Sequence, residues 1–119
     1  MQLNEAGLDI IHRYTNPRND GEYVEMLRHI KKAQSTVRRG IRPNINDNEY
    51  SALVSFVVGM GSDGFFRSHV RTLCNRRDWF GAAQEIRRTA KTPADAVRRR
   101  EEAGLFLLSA LVSNREEAS

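Results

Sequence analysis

A chain of 119 residues, 39% of them hydrophobic, is long enough for one compact core and too short for two ordinary domains. Nineteen lysines and arginines against 15 acids leave a net charge of +4, carried by 16 arginines and only 3 lysines. That balance excludes an acidic, self-solvating chain and favours a polyanionic partner (nucleic acid, an anionic cell-wall polymer or an acidic protein face) without choosing among them.

Segment 4–14 places Leu8, Ile11 and Ile10 on one helical face behind an Asn4 cap, which predicts a short first helix ending before Pro17. Asn16-Pro17 and Asp20-Gly21 then mark a loop. Over 22–39, Tyr23, Met26, Leu27, Ile30, Ala33 and Val37 recur at three- and four-residue steps, opposite Arg28, Lys31, Lys32 and Arg38. This predicts a long amphipathic helix closed by Gly40.

Asn46 followed by Glu49 has the form of a capping box opening helix 47–58, which is apolar nearly all round and therefore belongs at the centre of the domain. After glycines 59, 61 and 64, one helix is expected over 65–75. Another, capped by Asp78, is expected over 79–89 with Phe80, Ala83 and Ile86 facing inward. Thr92-Pro93 opens the last helix, expected to run through Val97 and Leu105 to about Val112 before a frayed tail at 113–119. No segment alternates as a strand, so the class is all-α: one domain, 1–119, of five to six helices.

The only cysteine, Cys74, has no intrachain partner and reads as a small buried hydrophobe. The first fourteen residues carry Glu5 and Asp9 and show neither a basic leader nor a continuous apolar run, so residence in a bacterial cytoplasm is expected. His12, His29 and His69 are scattered without carboxylate or cysteine at ligand spacing, and no strand precedes the 59–64 glycines. Neither a metal, a nucleotide site nor any cofactor is expected.

The segment from Asn44 to Ile86 resembles the central signature of the phage lysozymes and endolysins, glycoside hydrolase family 24. The residues that carry it are Asn46, Asn48, Tyr50, Ala52 to Phe56, Gly59, Gly61, Phe65, Leu73, Asp78, Trp79 and Gly81 to Ala83. Val97 to Glu101 with Leu105-Phe106 resemble the family's C-terminal Arg-rich pattern, and Gly7, Leu8, Ile11 and Tyr14 its opening helix. The resemblance implies a lysozyme-like helical domain.

In that family the aromatic matching Tyr14 is followed at once by the catalytic Glu, then by an Asp or Cys, and later by a Thr in a β-hairpin. This chain has Thr15 in the first place and Val24 in the second, and Asp20-Gly21 passes straight into the long helix with no hairpin segment. Cleaving a glycosidic bond needs a carboxylic acid to protonate the leaving oxygen, and a threonine hydroxyl has no accessible pKa for that task. The implied β-lobe is absent and no catalytic residue is assigned. Asp20, Glu22 and Glu25 are the acids placed to act as substitutes, although a turn residue and first-turn helix acids explain them as well.

The chain is therefore expected to be a lysozyme-fold pseudoenzyme of phage or prophage origin that binds a protein partner, a second copy of itself included. The expected surface comprises Tyr14, Thr15, Tyr23, Met26, Ile30, Phe65, Phe66 and Ser68, uncovered by loss of the β-lobe. Peptidoglycan binding, with or without residual hydrolysis, is the alternative. Nucleic-acid binding through a basic surface at Arg87, Arg88, Arg99 and Arg100, with Arg76, Arg77 and Arg98, ranks lowest, since successive helix positions point about 100° apart and the resemblance implies that at least one of Arg98 to Arg100 is a structural ion-pair residue beside Glu101 and Glu102.

Overall fold

The computed structural model describes the backbone of residues 1–118 and the side chains of residues 1–108. Its elements are seven helices: α1 (Glu5–Thr15), α2 (Asp20–Gly40), α3 (Asp47–Met60), α4 (Ser62–Phe66), α5 (His69–Asn75), α6 (Trp79–Arg88) and α7 (Pro93–Ala118). No strand occurs among the described residues. The tail expected at 113–119 lies outside the described side chains; the backbone of α7 is helical to Ala118.

Short polar side chains start the helices by accepting from otherwise orphaned amides. Asn4 accepts from Gly7 N at 3.1 Å, Asn19 from Glu22 N at 2.9 Å, Asp78 from Gly81 N at 3.0 Å and Thr92 from Asp95 N at 3.1 Å. The box at α3 is complete: Asn46 accepts from Glu49 N at 2.8 Å while the Glu49 carboxylate accepts from Asn46 N at 3.0 Å.

Helix α3 is the axis of the domain, buried without interruption from Glu49 to Val57. Tyr50, Leu53, Val54 and Phe56 are fully buried, each contributing about 1.5–3 kcal/mol of transfer free energy. Helices α1, α2 and α7 lie against it, and α6 packs on α7 and α5. Cys74 is in this core, as expected, and desolvation with the nearby Glu49 charge pushes its thiol up to about 12.

Four local expectations are corrected. On α1 the buried pair is Ile10 and Ile11, while Leu8 is 40% exposed. Phe80 points outward, and α6 packs instead through Ala82, Ala83 and Ile86. The helix expected over 65–75 is two, because Ser68 interrupts it: its hydroxyl donates to Phe65 O at 2.7 Å and accepts from Arg71 N at 3.3 Å, capping α5. Gly40 lies within α2 rather than beyond its end, and Ile41 is the cap. A Cβ at Gly40 would stand 2.8 Å from Phe65 Cε2, so glycine is there to let α4 close on α2.

Candidate functional site: the end of α1 and the groove beside it

The position that the sequence makes decisive, Thr15, is the exposed last residue of α1. Asn16 follows in the left-handed region at φ 48°, which a short polar side chain tolerates, and the backbone then turns into α2 at Asp20. No hairpin intervenes, as expected.

A carboxylate from α7 meets the two residues before Thr15. Arg13 holds Glu101 through both oxygens, at 2.6 and 3.2 Å, and the Tyr14 hydroxyl donates to Glu101 Oε1 at 3.2 Å. The Arg13 guanidinium holds the Glu101 carboxyl below the usual carboxylate range, and the same carboxylate, with burial, raises the Tyr14 phenol. A glycosidase acid needs the opposite perturbation, a carboxyl kept protonated near neutrality.

Beneath Tyr14 lies a second, buried cluster. Glu102 is fully buried and accepts from Arg99 Nη1 at 2.5 Å, from Arg98 Nε at 3.1 Å and from the Ser55 hydroxyl of α3. Arg98 also donates to Ser55 O at 2.9 Å and spreads under the Tyr14 ring, 5.5 Å from its centroid, while Arg99 lies 4.9 Å from that of Phe56. Gly59 admits this layer, since a Cβ there would meet Arg99 Nη2 at 3.0 Å. The cluster ties α1, α3 and α7 together, and its carboxylate cannot reach solvent.

The other candidate acids are on the surface. Glu22 closes the α2 cap, accepting from Arg18 N at 3.4 Å and Asn19 Nδ2 at 3.5 Å. Glu25 pairs with Arg28 at 3.4 Å and His29 at 3.3 Å, and Asp20 begins α2. Among the described residues no three His, Cys, Asp or Glu side chains gather as a metal-binding group, and no helix is long and apolar enough to cross a membrane.

The expected binding surface is only partly assembled. Met26, Ile30 and Phe65 are 2%, 6% and 0% exposed and belong to the core. Phe66 is half-buried beneath the guanidinia of Arg39 and Arg71, and Ser68 is a helix cap. Phe65 and Phe66 pack at Gly40, roughly 25 Å along α2 from Tyr23 by helical rise, so the two groups share no face. Of the basic set, Arg87, Arg88 and Arg100 are exposed but Arg99 is a buried ion-pair residue.

What remains open is a groove between α1 and the first turns of α2, a cavity of about 580 Å³ lined by Glu5, Ala6, Leu8, Asp9, His12, Tyr23 and Met26. Leu8, Tyr23, Val24 and Leu27 are each 40–48% exposed beside it, and the His12 and Tyr23 rings meet edge to face with centroids 6.5 Å apart. Leu8, His12 and Leu27 were not singled out as site residues. Their apolar spacing is that of core positions, and only the splay of α1 from α2 leaves them uncovered.

The phage lysozyme family model matches residues 13–105, most of the chain. No curated protein sequence matches it. Among solved structures, a lysozyme variant of phage P22 superposes with a TM-score of 0.76 at 21% identity, over 90% of this chain and 99% of that one. An endolysin from an Escherichia coli phage, FAHEc1, gives 0.79 at 23% identity over 92% and 95%. The muramidase domain of SpmX from Asticaccaulis excentricus gives 0.76 at 21% over 89% and 97%. The helices, the Tyr14 corner and the family match agree: this chain belongs to the phage lysozyme family.

Proposed function

We propose that this chain is a non-catalytic lysozyme-fold module, of phage or prophage origin, that binds a protein partner in the groove between α1 and α2. The observation that carries the proposal is the pairing of an acid-free α1 terminus with an open apolar groove beside it. At Thr15 there is no carboxyl, and Glu101, which meets Arg13 and Tyr14 just before it, is held ionised by Arg13. A protonated acid is therefore missing where the leaving oxygen of a glycan would be protonated. The groove presents Leu8 and Tyr23 to solvent, and the exposed Leu27 follows one turn after Tyr23 on α2, a patch of the kind that marks an interface.

The test is co-purification from the native host with the parent chain and with a Tyr23→Ser/Leu27→Ser variant. The proposal requires a bound protein that is recovered with the parent and lost with the variant. Equal recovery with both removes the groove from the account. Light scattering of the purified chain distinguishes a second copy from a foreign partner.

Family membership favours a second reading, in which the same groove holds peptidoglycan. Its rim carries Glu5 and Asp9, and Arg13 stands one turn further on. Sedimentation with purified sacculi that is abolished by the Tyr23→Ser/Leu27→Ser variant would favour this reading over the first.

A further inference from the structure

We propose that a second site, between the end of α2 and helix α5, binds a compact anion with two or more adjacent phosphate groups. The site is a cavity of about 450 Å³ lined by Arg42, Pro43, Arg71, Thr72, Asn75, Arg76 and Arg77. Four arginines line it and no carboxylate does.

None of the four arginines forms a salt bridge among the described residues, whereas Arg13, Arg28, Arg88, Arg98 and Arg99 all do. Asp78, next in sequence to Arg77, turns its carboxylate to the first amides of α6. Four like charges facing one concavity repel one another unless an anion supplies the missing counter-charge. Guanidinium is also the cation best shaped to grip phosphate oxygens in pairs.

The walls are fixed before any ligand arrives. Asn75 clamps the end of α2 to α5, donating to Gly40 O at 2.9 Å and accepting from Arg42 N at 2.8 Å. Arg71 donates to Gly40 O at 3.2 Å and to Phe66 O at 3.3 Å. These bonds fix the floor, and Arg42, Arg76 and Arg77 line the rest of the cavity.

The backbone at Arg77 supplies the independent argument. Helix α5 ends with Asp78 N bonded to Leu73 O at 2.9 Å and Arg77 N to Cys74 O at 3.0 Å, the paired closure in which the residue after the cap is left-handed. Arg77 occupies that position at φ 62°, where glycine is strongly preferred. Stability alone would place glycine there. An arginine there directs a cation into the pocket at a cost to the backbone, as strained residues at binding sites do.

A compact ligand of high charge suits a concave site better than an extended acidic peptide, whose single charges are spread along the chain. Phosphate groups borne on a free diphosphate and on a nucleic-acid strand offer the same chemistry here, so the experiment carries an arm for each.

Sodium pyrophosphate is titrated into the full chain at low ionic strength and followed by amide NMR, with sodium sulfate as the control anion. Saturable shifts confined to residues 40–43 and 71–78, with pyrophosphate preferred over sulfate, are expected. Shifts spread equally over Arg87, Arg88 and Arg100, or equal weak binding of both anions, would overturn the proposal.

Arg77→Gly is the decisive variant because it removes the charge while relieving the backbone. It should bind pyrophosphate about tenfold more weakly, the worth of one charge-assisted contact, while melting no lower than the parent. Unchanged affinity would overturn the site. Arg87→Gln/Arg88→Gln, which has the greater charge loss elsewhere, should bind as the parent does; a loss equal to that of Arg77→Gly would reduce the effect to net charge and overturn it as well. A short oligothymidylate that displaces pyrophosphate would identify a strand as the phosphate source. Failure to displace it would identify a free diphosphate, and either result retains the pocket.

Discussion

Tyr14 at the end of α1 donates its hydroxyl to Glu101 of α7 at 3.2 Å, one residue before the place where the phage lysozymes carry their acid. The contact joins the first and last helices through a carboxylate whose proton is displaced by Arg13. The corner therefore has a structural role for its acid, and that role requires the ionised form.

Glu101→Gln should make the stability of the domain less sensitive to acid. The Glu101 carboxyl is held below its ordinary range in the fold, so its contribution is present above its unfolded pKa and is lost as pH falls through its folded pKa. The variant should melt below the parent at pH 7, and the difference should close as pH falls through the lowered folded pKa of Glu101, where both forms carry a neutral side chain. A difference that persists unchanged at low pH would assign the effect to packing instead.

Glu102→Ala should be among the most damaging single changes. It leaves Arg98 and Arg99 partly buried without their counter-charge, a loss of about 3–5 kcal/mol in denaturant unfolding. Ser55→Ala removes one neutral donor from the same carboxylate and should cost about 1–3 kcal/mol. The two should be non-additive, because they share one hydrogen-bonded group.

The groove and the core should separate cleanly by mutation. Leu27→Ser on the exposed side of α2 should shift stability by no more than about 0.5 kcal/mol. Met26→Ala, one position away but 2% exposed, should cost about 2–5 kcal/mol. Partner recovery should fall with the first variant while the fold remains intact.

Arg77→Gly should stabilise the domain by about 0.5–1 kcal/mol, since the left-handed position after α5 costs a side-chain-bearing residue what it does not cost glycine. Thermal melting measures this without any ligand. A lower melting temperature would mean that the Arg77 side chain supports the fold.

What was legible in the sequence follows the range of the forces involved. The caps at Asn4, Asn46, Asp78 and Thr92 act within four residues, and each begins a helix where its sequence says. The all-round apolar character of 47–58 required burial on every side, which made α3 central whatever surrounded it. Leu8 and Phe80 are exposed because helical spacing marks an apolar stripe but not what covers it. The same is true of Tyr23 and Met26, three residues apart on α2, one exposed and the other in the core.

The candidate site was legible only at Thr15, where one residue type decides the chemistry. The Arg98–Arg100 run beside Glu101 and Glu102 is expected to hold a structural ion pair, but which arginine is buried depends on Ser55 and Gly59 meeting Arg99 and Glu102 from α3. Ser68 carried a local cap signal, yet it was absorbed into a longer helix because the apolar spacing continues across it to Val70 and Leu73.

The central claim, that this fold is used without hydrolysis, is tested most directly by a turbidity assay on chloroform-treated Gram-negative cells, run beside an active phage lysozyme from about pH 5 to pH 8, the range in which a working acid of this kind would titrate. The account predicts clearing no faster than buffer at every pH. Clearing at a rate comparable to the active lysozyme would contradict it and would require a displaced acid at Asp20, Glu22 or Glu25.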